Sequence, residues 1–169
     1  MSFLSRLLGT APDPRESVRP LWHRVIELAR DSVYYTECGV ADTVAGRFDM
    51  ICAVLSAVMV RSEASEMRAE IFVEDMDGQL REFGVNDVVV GKRIGKLMSV
   101  LGGRLGAYRG ALNAGDQERL TAAIGRNVTF REGADEGAGA QAVASRIMKL
   151  FERLGRFSDA EMLKASAIW

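Results

Sequence analysis

One histidine, two cysteines and three prolines are all that 169 residues contain of those types, and each scarcity excludes something. His23 has no cysteine or carboxylate near it at ligand spacing, so a metal, haem or histidine-base site has no donor set to draw on, and no cofactor is expected. Cys38 and Cys52 lack CxxC spacing. They read as small core or near-core residues in a reducing compartment, not as a disulfide frame. Charge of one sign is missing too: 22 Lys and Arg against 23 Asp and Glu leave a net charge of −1. That balance argues against general nucleic-acid or anionic-membrane binding and leaves recognition to local patches. No charge-free run of about 18 apolar residues exists, so no transmembrane helix is expected. Residues 1–13, with Phe3, Leu4, Leu7 and Leu8 but only Arg6 as a base, suit a terminal segment with a weak, reversible membrane or partner contact.

What is present points to helices. Hydrophobic residues at 48% and charged residues at 27% describe an ordinary globular chain. At this length one domain, residues 14–169, buries about 68–70% of its unfolded surface without staples. The expectation is an all-α, single compact domain of six to eight helices. Trp22, Val25, Ile26, Ala29 and Val33 define a first apolar face from about Pro20, and Val44, Phe48, Ile51, Cys52, Leu55, Val58 and Met59 define a central helix from Asp42 to Arg61. A third helix over 63–83 turns Phe72, Met76 and Leu80 inward and an acidic stripe outward. Asp75-Met76-Asp77-Gly78 fails as a calcium loop, because Val73 and Gly84 stand where oxygen ligands belong. Asp116 caps a helix over 117–126, residues 127–140 read as a glycine-rich loop, 141–156 returns to helix, and a last short helix starts at Ser158 or Asp159.

The stretch from Gly84 to Leu112 carries three faces at once. Val90, Ile94, Leu97, Met98, Leu101, Leu105, Tyr108 and Leu112 fall on a core-facing arc at about 100° per residue. Gly91, Gly95, Gly102 and Gly106 fall nearly opposite, and Lys96, Arg93 and Arg104 form a basic edge between the two. Each glycine costs a helix about 1 kcal/mol relative to alanine, so the stripe calls for a reason such as close approach by another helix. The opening GVNDVVVGK, from Gly84, echoes GVADTVAGR, from Gly39. In both, glycine stops one helix and a carboxylate, Asp42 or Asp87, faces the start of the next. Asp42, Asp75, Asp77, Arg81, Gly84 and Asp87 are accordingly read as caps and ion pairs.

Several linked blocks resemble the ubiquinol–cytochrome c chaperone family of cytochrome bc1 assembly factors. They are Trp22 with Tyr34-Tyr35, then Gly39 to Thr43 and Gly46 to Met50; Phe72, Asp75 to Asp77, Leu80 to Glu82, Gly84-Val85 and Asp87; and Val90 to Arg93 with Gly103-Arg104 and Ala107-Tyr108, together spanning about residues 20–112. Two departures stand out: Leu101-Gly102 replaces an aromatic pattern before the Gly-Arg pair, and Gly95 sits where lysine is common. The resemblance implies a non-enzymatic chaperone that binds newly made cytochrome b near the ribosome exit or on the cytoplasmic face of a bacterial inner membrane. Mitochondrial relatives work with a small partner subunit. For contact with such a client the residues expected are Arg47, Lys92, Arg93, Lys96, Arg104 and Tyr108, with Gly91, Gly95, Gly102 and Gly106 as the close-approach stripe. The rival readings are a helical RNA- or ribosome-binding or adaptor module, which the acidic pI near 5.9 disfavours, and an enzyme, for which nothing stands at catalytic spacing. No specific DNA partner is expected.

Overall fold

A computed structural model describes residues 19–61 and 87–164, with side chains in the second block from Gly95 onward, Leu97 excepted. The expected terminal segment, the helix over 63–83 with Asp75, Asp77 and Arg81, and Gly84 and Trp169 lie outside the described residues. Seven helices follow in order among the described residues: α1 (Arg19–Ala29), α2 (Ser32–Thr36), α3 (Val44–Arg61), α4 (Asp87–Ala114), α5 (Gln117–Asn127), α6 (Glu136–Leu154) and α7 (Asp159–Leu163). Apart from one isolated antiparallel bridge between Val40 and Phe130, β pairing is absent among the described residues. The fold is all-α, as the periodicities require.

Helix α3 is the hub. Every residue from Asp49 to Met59 is buried, because α1, α4 and α6 all pack on it. The sequence pattern marked one broad apolar face there, and the structure covers the remaining faces as well. Val44 departs from that pattern: it is 88% exposed, since the first turn of α3 projects beyond the helices that cover the rest. Helix α1 contributes Leu21, Trp22, Val25 and Ala29, and α4 contributes Leu101, Tyr108, Ala111 and Leu112. Helices α5 and α6 pack on each other, burying Leu120 and Ile124 from one and Val143, Ile147 and Leu154 from the other. Each such aliphatic side chain contributes about 1.5–3 kcal/mol of transfer free energy.

Local signals place most helix ends. The Asp116 side chain accepts from Arg119 N–H at the start of α5, and Ser158 with Glu161 forms a complete capping box on α7. Gly39, at φ 73°, turns the chain after α2. The expected loop over 127–140 is shorter than its composition suggests. Asp135 accepts from Ala138 N–H and starts α6 at Glu136, so the glycines at 137 and 139 belong to a helix whose cap and packing outweigh their poor propensity. His23 is exposed, whereas Cys38 and Cys52 are buried. No helix among the described residues is long and apolar enough to cross a membrane.

The chain also needs one tight approach at the entrance to α3. A Cβ on Gly46 would sit 2.0 Å from the Ala41 carbonyl oxygen. Gly46→Ala therefore forces backbone apart at the start of the central helix, and a loss of about 1–3 kcal/mol in chemical denaturation is expected. An unchanged midpoint would show that the 39–46 turn yields freely.

Candidate functional site

The polar centre of the molecule lies where α3 meets α4. An Arg104 Nη2 hydrogen bond reaches Asp49 Oδ1 at 2.6 Å, with side-chain exposures of only 13% and 4%. Thr129, on the segment between α5 and α6, donates to Asp49 Oδ2 from both its backbone N–H (2.8 Å) and its hydroxyl (2.7 Å). Thr129 is itself held in place, since its carbonyl accepts from Ala41 N–H and Arg131 N–H donates to the Gly39 carbonyl. One carboxylate thus ties together two long helices and two loops. The Arg104 guanidinium carbon also lies 5.3 Å from the centre of the Phe48 ring, a cation–π contact within the usual range.

Burial sets the chemistry around this pair. It pushes the Cys52 thiol up to about 11 and drives the Tyr108 phenol higher still, with the Arg104 charge lowering both by a smaller amount. Both groups are neutral at physiological pH, and Cys52 is no nucleophile. Burial by itself would lower the Arg104 pKa, but Cys52 and Asp49 more than offset that and keep the guanidinium charged. The Tyr108 hydroxyl and Arg104 Nη1 are buried without a hydrogen-bond partner among the described residues. The arrangement holds charge in place and offers no reacting group. No cluster of potential metal ligands occurs among the described residues.

These positions correct two expectations. Tyr108 is 0% exposed and Arg104 is committed to Asp49, so neither side chain stands on a contact surface; the core-facing arc on which periodicity put Tyr108 is the one that prevails. The glycine stripe is placed differently. Gly95, Gly102 and Gly106, together with Gly103, have nothing within 4 Å of a Cβ position among the described residues, and Lys96 and Ser99 are exposed on the same helix. That face of α4 is open along its described length. Gly91, Lys92, Arg93 and Asp87 belong to α4, but their side chains lie outside the described residues.

Arg47 stands apart from α4, on the first turns of α3. Its Nε donates to Asp42 at 2.6 Å in an exposed pair, which solvent screening keeps weak. The capping of α3 falls to Thr43, whose hydroxyl accepts from Gly46 N–H at 3.3 Å; Asp42 serves as the ion-pair partner. Local sequence patterns assign no role to Asp49 or Thr129. The available signal was a lone carboxylate in the apolar run from Phe48 to Met59, since a charge on a buried helix face demands a partner.

The model of the ubiquinol-cytochrome C chaperone family matches residues 36–169. Among solved structures, the crystal structure of the Cbp3 homolog from Brucella abortus is similar, with a TM-score of 0.78 at 26% sequence identity, covering 98% of this chain and 94% of that one. No curated protein matches.

The central ion pair makes a stability prediction. Asp49→Asn strands a buried guanidinium and Arg104→Met strands a buried carboxylate, so each is expected to cost about 3–5 kcal/mol. The double variant is expected to cost less than the sum, because the second change removes the charge exposed by the first. Denaturant titration of the four proteins reads the coupling, and strictly additive losses would show that the two groups do not interact.

Proposed function

Because the chain belongs to the ubiquinol-cytochrome c chaperone family, we propose that it is a non-enzymatic assembly chaperone that captures newly synthesised cytochrome b for the cytochrome bc1 complex. The family match across residues 36–169 carries this reading. The face of α4 that bears Gly95, Gly102, Gly103 and Gly106 is the surface we assign to the client. Its open Cβ positions let an apolar helix bring its backbone close, which is how small residues support pairing of membrane helices. Lys96 flanks that face, and Lys92 and Arg93 precede it in the same helix; these bases suit acidic loops of the client, lipid headgroups or ribosomal phosphates. Capture would take place on the cytoplasmic face of the inner membrane.

Glycine is a costly residue at helix positions that meet no other described residue. Replacing Gly95 and Gly102 by leucine is therefore expected to leave the fold intact and to raise stability by up to about 1 kcal/mol per site. Cytochrome b co-purified with the variant is expected to fall at least ~10-fold, equivalent to about 1.4 kcal/mol. A stable, folded variant that captures cytochrome b normally would remove the glycine face from the mechanism.

A further inference from the structure

A cavity of about 240 Å³ opens between the end of α1, α2 and the start of α3, lined by Arg30, Ser32, Tyr35, Thr36, Asp42 and Arg47. Two cations and one anion make its lining net positive. The Arg30 side chain has no ion pair or hydrogen bond among the described residues. Arg47 gives Asp42 only its Nε, which leaves both terminal nitrogens able to donate. Both guanidinium groups line the cavity together with Tyr35; burial raises the Tyr35 pKa, and the charges of Arg47 and Arg30 lower it while Asp42 raises it. The Tyr35 ring is fixed as a wall, because its hydroxyl donates to the Ala29 carbonyl at 2.8 Å. Thr36 spends its hydroxyl on the Ser32 carbonyl, and the Ser32 hydroxyl is left as a further donor.

This set is over-supplied with donors for its one carboxylate. A second carboxylate would need a single guanidinium fork, whereas a phosphate group presents acceptors to two forks and a hydroxyl at once. The volume fits one phosphate group and falls short of the roughly 300 Å³ at which drug-sized ligand sites begin. We propose that this cavity binds a single phosphate group, clasped between the Arg30 fork and the terminal nitrogens of Arg47, with Ser32 as third donor. The phosphate is either free or carried on a lipid headgroup. Val44, 88% exposed and one turn before Arg47 in α3, stands where an acyl boundary would lie in the second case. The site does not depend on cytochrome b capture.

The test uses the full chain and inorganic phosphate at constant ionic strength. NMR titration is expected to show saturable shifts of the Tyr35 ring resonances while those of the buried Tyr34 and Tyr108 stay fixed, with chloride unable to substitute. Arg30→Gln is expected to weaken phosphate binding at least ~10-fold; Arg30 is exposed and free of ion pairs among the described residues, and a thermal melt checks that the variant folds. Saturable shifts elsewhere, no saturation, or equal binding by Arg30→Gln would overturn the proposal. A second arm identifies the source. Co-sedimentation with phosphatidylcholine vesicles containing phosphatidic acid, lost in both Arg30→Gln and Val44→Asp while Val44→Asp still binds inorganic phosphate, assigns the headgroup. Phosphate binding without vesicle binding assigns the free anion.

Discussion

Asp49 is the residue on which the arrangement of this protein depends. A carboxylate in the middle of the most buried helix must be matched or the helix cannot be buried at all. Arg104 supplies the opposite charge and Thr129 fills the second oxygen with two donors. Such a pair adds little net stability beside a well-packed apolar alternative, because desolvation of both charges offsets their attraction. What it supplies is geometry. Apolar contacts tolerate a sliding or rotated α4, whereas a 2.6 Å bond to a fixed carboxylate does not.

The orientation of α4 follows from that constraint. With Arg104 tied to α3 and Leu101, Tyr108 and Leu112 buried, the glycines at 95, 102, 103 and 106 are left facing outward with open space above them. The stripe costs the helix propensity and meets no other described residue. The same pair removes Arg104 from any surface role, so the basic character of α4 outside the core rests on Lys96, on the exposed Arg109 and on the bases that precede them. The face packed on the core and the face proposed for the client are thus two sides of one helix, and the buried ion pair decides which of them packs inward.

Much of this was legible in the chain. The 3.6-residue spacing of Trp22, Val25 and Ala29, the Asp116 turn and the Ser158 start each follow from local chemistry that needs no distant partner. Arg104 was not legible in the same way. On a helical wheel it lies at the edge of the apolar arc away from the glycine stripe, and a basic residue there reads equally as surface or as half of a buried pair. Its partner Asp49 lies on a different helix, and Thr129 is 80 residues from Asp49, so no local pattern connects them. Residues 136–140 fail for the opposite reason: glycine-rich composition argued for a loop, while the Asp135 cap and the packing of α6 on α5 impose a helix. The cavity proposed for phosphate joins Arg30, just after α1, with residues of α2 and with Asp42 and Arg47 at the start of α3, each ordinary when taken singly.

Site-specific photocrosslinking tests the central claim, that the ion pair turns the glycine face of α4 toward the client. A photoreactive residue placed at Ser99 or Gly106, on the exposed side of α4, is predicted to crosslink to newly made cytochrome b, and one at Lys149, exposed on α6, is not. Crosslinks from Lys149 with none from Ser99 or Gly106 would contradict the account.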